Sequence, residues 1–75
     1  MDTKLSFGEN LKKLRKEHKM TRAQLAERIS YSEKSIEKWE IGGAIPPVNT
    51  VCRLANLFQV SVDYLLFDQK SPIQS

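Results

Sequence analysis

Apolar residues recur along this chain at intervals of three and four, the spacing of one buried helix face. Phe7, Leu11 and Leu14 make the first series, which runs on to His18. Ser6 stands before it, with Glu9 three residues later, a pattern that predicts a capping box. Thr21 with Gln24 repeats the pattern for a second helix that buries Leu25, Ala26 and Ile29. Ser32 predicts the start of a third helix and Ser61 that of a fifth. Met20, Tyr31 and Val60 immediately precede those three caps, placed to staple onto Leu25, Ile36 and Leu65. Gly42 and Gly43 stop the third helix, and Pro46-Pro47 open a new segment. The fourth helix is expected to bury Val48, Val51, Cys52, Ala55 and Phe58, with Pro47 or Asn49 at its start. No stretch alternates in the manner of a strand. The pattern predicts an all-α, compact five-helix domain over residues 6–67, with an N-terminal arm at 1–5 and a flexible tail at 68–75.

The 75 residues allow one modest core, since a chain of this size buries only roughly 60% of its unfolded surface. That disfavours a deep catalytic cleft and suits a module that presents one face to something larger. The net charge is +3, and its placement matters more than its size. Residues 1–40 carry ten Lys or Arg against seven Asp or Glu, while residues 41–75 are balanced. All the excess is therefore in the first half, as for a basic face on a neutral support. The single cysteine, Cys52, supplies neither an internal disulfide nor a metal framework, and its position in the stripe predicts a buried core thiol. The chain lacks a signal-like start and any run of membrane-spanning length, so a reducing, cytoplasmic setting is expected. No metal cluster, nucleophilic set or Gly-rich phosphate loop is legible, so neither an enzyme nor a cofactor is expected.

The informative stretch is Thr21 to Glu40. Two short helices follow one another with only Ser30 to Ser32 between them, too little for an antiparallel hairpin, so they must cross steeply. Ala26 is small where the axes should approach. This is the layout of a helix-turn-helix, whose second helix enters the major groove of double-stranded DNA. Ile36 and Trp39 are the large apolar residues of the third helix and must face the core. That turns Glu33, Lys34, Glu37 and Lys38 outward.

At this point the chain resembles the lambda-repressor-like, Cro-type (XRE) DNA-binding domain over roughly residues 7–67. The resemblance is carried by Phe7-Gly8-Glu9-Asn10-Leu11, Leu14-Arg15, Thr21 through Leu25-Ala26-Glu27, and Ser35 through Gly42. Pro46, Leu54-Ala55 and Val60 through Leu66 complete it. It implies five helices and a bacterial or phage transcriptional regulator, repressor-like in kind. It places Glu33, Lys34 and Lys38 on the base-reading positions. Lys can donate to guanine O6 and N7, and Glu can accept from cytosine N4, which together point to a G·C-containing half-site. Phosphate contacts fall on Arg22, where the family usually carries Gln, on Ser32 and Ser35, and on the α-helical start at Asn49. Arg15 and Glu40 match a structural salt bridge that fixes the recognition helix.

Three departures lower the expected affinity. Ser30 stands where the family commonly has Gly, at a backbone position that favours positive φ. The loop Ile41 to Ile45 carries no Lys or Arg. Glu33 and Glu37 put negative charge on the face that approaches DNA. Weak monomer binding makes a homodimer on a two-fold operator the expectation, with half-sites ~34 Å apart. Val62, Tyr64, Leu65, Leu66 and Phe67 are candidates for the self-association surface, or else close the core under the first and fourth helices. The competing reading is an antitoxin-like module that binds a partner protein with the same fold, to which the acidic recognition face is suited.

Overall fold

The computed structural model describes residues 6–67; the expected arm at 1–5 and tail at 68–75 lie outside the described residues. Five helices run in order, α1 Phe7–Glu17, α2 Arg22–Ile29, α3 Glu33–Glu40, α4 Val48–Phe58 and α5 Val62–Leu66. Leu11, Leu25, Ile36, Leu54 and Leu65, one from each helix, are fully buried at the centre. Phe7, Trp39, Val51 and Phe58 enclose them, and Met20, Tyr31 and Val60, the three staple residues, pack partly buried against this cluster.

The caps explain where most helices begin. Thr21 accepts from the Gln24 N–H while Gln24 returns a bond to the Thr21 N–H, a complete capping box. Ser32 accepts from the Ser35 N–H and Ser61 from the Tyr64 N–H. All three caps have extended backbone, with ψ between 157° and 166°. The capping box expected at Ser6 does not form. Its ψ of 38° turns the hydroxyl away from the first turn, and its N–H instead donates to the Leu66 carbonyl at 2.8 Å. At α4 the cap position falls to Pro47, whose ring has no acceptor to offer, and Asn49 lies inside the helix.

Helix ends follow one pattern. After α1, α2, α3 and α4 a residue takes the left-handed conformation: Lys19, Ser30, Gly42 and Gln59, with φ of 57°, 63°, 88° and 59°. Each is followed by an N–H that reaches back over the turn, Met20 to the Arg15 carbonyl, Tyr31 to Ala26, Gly43 to Lys38 and Val60 to Ala55. These are Schellman closures, which satisfy carbonyls the helix itself leaves unpaired. Only one of the four positions is glycine. The positive φ anticipated at Ser30 is present, carried by a residue with a Cβ at some steric cost.

Two expectations for the core fail on α4. Its buried face is Thr50, Val51, Leu54, Ala55 and Phe58. Cys52 sits one residue, or about 100° of helix turn, from Val51, and it is exposed. Val48 is one turn before Cys52 on the same side and is 78% exposed. His18 lies at the end of α1 with its ring against Phe58, centroids 4.9 Å apart, and Nδ1 within 2.9 Å of the Leu14 carbonyl. It is a helix-end packing residue, exposed rather than part of the inward stripe.

Candidate nucleic-acid interface

The outward face of α3 is set by what its inward face must bury. Ile36 is fully buried and Trp39 nearly so, with Trp39 edge-on to Tyr31 at 5.0 Å and to Phe7 at 6.5 Å. With a 3.6-residue turn, this leaves Glu33, Lys34, Glu37 and Lys38 exposed together,. The three expected base-reading positions, Glu33, Lys34 and Lys38, therefore share one solvent face. That face is electrically balanced, two carboxylates against two ammonium groups.

The turn before α3 is held from both sides. Ser32 caps the helix, and its hydroxyl also lies 3.1 Å from that of Ser35. The Tyr31 hydroxyl meets Thr50 Oγ1 at 2.9 Å, tying the turn to α4. Both serines expected at phosphates are thus engaged with each other at the helix start. Asn49 is exposed on the first turn of α4, where Pro47 contributes only its carbonyl, to the Thr50 and Val51 N–H groups. The first-turn N–H groups of Val48 and Asn49 have no preceding helical carbonyl to pair with, the arrangement that suits an anion.

At its far end α3 is locked to α1. Arg15 Nε donates to Glu40 Oε2 at 2.6 Å and Nη2 donates to Oε1 at 3.2 Å, a two-pronged pair that is buried. Arg15 Nη1 donates to the Met20 carbonyl at 2.8 Å. The expected salt bridge is present, with a member the sequence reading did not assign to it. Arg22 Nε donates to Glu40 Oε1 at 3.1 Å. Burial alone would raise the Glu40 pKa, but the bonds and charges of Arg15 and Arg22 outweigh it and hold the carboxyl below its usual range. A buried carboxylate with two guanidinium partners stays ionised.

Two further contacts were not foreseen. Gly8 lies where α1 passes the end of α3: a Cβ there would stand 2.5 Å from the Trp39 carbonyl oxygen and 2.8 Å from that of Glu40. Asn10 turns its amide onto the end of α5, donating to the carbonyls of Leu65 at 3.0 Å and Phe67 at 2.8 Å. Both belong to the stretch that carries the family resemblance, but no periodicity or cap rule marks them.

The C-terminal candidates separate. Leu65 is fully buried within its own domain and cannot line a self-association surface, which corrects that expectation. Val62, Leu66 and Phe67 are half-buried, and Tyr64 is exposed. The exposed large apolar residues include Ile41, at 73%, and Ile45, both in the uncharged loop after α3. Among the described residues no group of acidic, His or Cys side chains is placed to hold a metal ion, and no helix is long and apolar enough to cross a membrane.

The family model described as helix-turn-helix, HTH_3, matches residues 11–65. The uncharacterized HTH-type transcriptional regulator YobD of Bacillus subtilis (strain 168) is 43% identical over 60 residues, 80% of this chain and 54% of that protein. The SOS-response transcriptional repressor LexA from Eubacterium rectale has a similar structure, with a TM-score of 0.84 at 30% identity, over 93% of this chain and 74% of that one. The P22 c2 repressor, solved in complex with synthetic operator 9T, gives a TM-score of 0.76 at 32% identity, over 80% of this chain and 91% of that one. The chain spans about half the length of the curated relatives it matches.

Proposed function

Because the chain belongs to the helix-turn-helix family HTH_3, we propose that it binds double-stranded DNA sequence-specifically as a transcriptional regulator, with α3 in the major groove. The observation that carries this reading is the rigid mounting of one exposed polar helix face. Ile36 and Trp39 anchor α3 below, Ser32 caps its start, and the buried Arg15–Glu40 pair holds its end. Side chains that read base edges must arrive in one fixed register, and such mounting supplies it. Lys34 and Lys38 donate to guanine edges and Glu33 accepts from cytosine N4. Arg22 and the first-turn N–H groups near Asn49 take phosphates, with Ser32 and Ser35 beside them.

The protein acts as a dimer on two half-sites ~34 Å apart, with Val62, Leu66 and Phe67 at the contact between copies. The balanced charge of the α3 face supports the need for two copies, since one copy has few uncompensated cations for phosphates. Selection from a pool of randomised duplexes tests the reading. The expected product is a two-fold symmetric site with G·C pairs at the contacted positions. Recovery of A·T alone would exclude the assigned base contacts. Failure to enrich any duplex, with tight capture of a protein encoded beside this one, would favour the partner-binding reading that Glu33 and Glu37 suit.

A further inference from the structure

The two arginines at Glu40 are used differently. Arg15 spends all three of its donor nitrogens inside the fold, on both carboxylate oxygens and on the Met20 carbonyl. Arg22 spends only Nε, on Glu40 Oε1. Its side chain is 34% exposed while that of Glu40 is 1% exposed, so the carboxylate is buried while Arg22, with Nη1 and Nη2 unused inside the fold, reaches the surface. One carboxylate between two guanidinium groups leaves one positive charge uncompensated, and it lies on the Arg22 side. That charge stands at the first residue of α2, where the Thr21 cap uses the Gln24 N–H and leaves those of Arg22 and Ala23 for an external acceptor.

We propose that Glu40 is a positioning residue for DNA binding: it holds Arg22 by Nε so that Nη1, Nη2 and the first-turn N–H groups of α2 form a preset clamp for one DNA phosphate. The proposal rests on the DNA-binding reading above and deepens it. A free arginine must give up its rotamer freedom when it meets a phosphate. Arg22 has largely given it up already, and its planar fork matches phosphate oxygens in a two-pronged contact. Glu40 is also the last residue of α3. The clamp therefore links the phosphate held by α2 to the end of the helix that reads bases, and the two cannot shift independently. Where the family usually carries Gln at the start of α2, this chain places a charge together with the acid that aims it.

The experiment is a double-substitution cycle on the full chain, with binding to a mixed-sequence 30-base-pair duplex followed by anisotropy from low to moderate salt. Folding of each variant is checked by circular dichroism at the same temperature. Arg22→Ala is expected to flatten the plot of log affinity against log salt by about 0.9 and to weaken binding about eightfold near 0.1 M salt. Glu40→Gln removes a negative charge, so bulk electrostatics alone would tighten binding; the clamp requires it to weaken. In an Arg22→Ala background the same Glu40→Gln change is expected to cost no further affinity. Equal loss in both backgrounds would mean that Glu40 acts only through Arg15 and the fold, and would overturn the proposal. Arg22→Lys leaves the Arg15 pair intact and decides the matter if Glu40→Gln does not fold. A single nitrogen cannot keep the anchor and present a fork, so binding is expected to fall toward that of Arg22→Ala. Wild-type affinity in Arg22→Lys would overturn the clamp while leaving DNA binding in place. No binding of any duplex by the wild-type chain would overturn both.

Discussion

At the scale of single residues, backbone geometry makes two substitutions act in opposite directions. Ser30 holds a left-handed φ of 63° to close α2, and its Cβ makes that costly. Ser30→Gly is expected to raise stability by about 1 kcal/mol, read as a later urea midpoint with unchanged slope. Gly8→Ala is expected to lower it by about 1–3 kcal/mol, because the added carbon meets the carbonyls of Trp39 and Glu40, which are backbone and cannot step aside,. Glu40 adds a dependence on pH. Its folded pKa is lowered, so the stability it contributes is fully present above the unfolded value. That stability is lost as pH falls through the folded one. Urea midpoints taken from pH 7 down to pH 3 are expected to show the gap between wild type and Glu40→Gln closing toward the acid end. A gap that stays constant would mean the carboxylate is not the stabilising form.

At the scale of elements, α3 combines a well-determined position with an ambiguous surface. Its register was legible because Ile36 and Trp39 leave one way to bury both, and the exposed set Glu33, Lys34, Glu37 and Lys38 follows directly. Alternating charge gives the helix solubility and lowers its attraction for phosphate at the same time. Glu37→Gln is expected to tighten binding to duplex DNA by roughly 0.5–1 kcal/mol at low salt, with the gain fading as salt rises. A weaker affinity would place Glu37 in a base contact of its own, and an unchanged one would mean that its charge is not felt by the phosphates. On α4 the buried stripe keeps the expected Val51, Ala55 and Phe58 but takes Thr50 and Leu54 in place of Val48 and Cys52. Val48, Val51, Cys52, Ala55 and Phe58 form an acceptable helical series, but so do Val51, Leu54, Ala55 and Phe58. The second wins because it centres Leu54, which is fully buried, and lets the polar Thr50 share a bond with Tyr31. A small thiol and a valine carry too little apolar surface to reverse that choice.

At the scale of the whole molecule, the five-helix order and the helix-turn-helix were legible from caps and staples, which are local and chemically explicit. Contacts between distant segments were not. Asn10 on the end of α5, Gly8 under the end of α3, and Arg22 on Glu40 depend on how helices cross, which no short-range pattern encodes. Arg15 and Glu40 were reached only through the family resemblance, and the third partner was missed because Arg22 departs from it. The dimer contact proposed for the C-terminal surface can be tested on its own. With Leu65 committed to the core, Leu66→Arg is expected to abolish cooperative binding to a duplex carrying two half-sites and to leave binding to a single half-site nearly unchanged. Analytical ultracentrifugation of the free protein would show whether the same change removes a dimer in solution. Equal loss on both duplexes would mean that the surface serves folding instead.

The proposed function requires that α3 read DNA through its exposed lysines. It is tested most directly by anisotropy with a selected duplex at two salt concentrations, comparing wild type with Lys34→Ala. Tight, salt-sensitive binding that falls by about 1–3 kcal/mol in the variant, more on the selected duplex than on an unrelated one, is the expected result. Equal binding by the two proteins, or an equal loss on both duplexes, would contradict it.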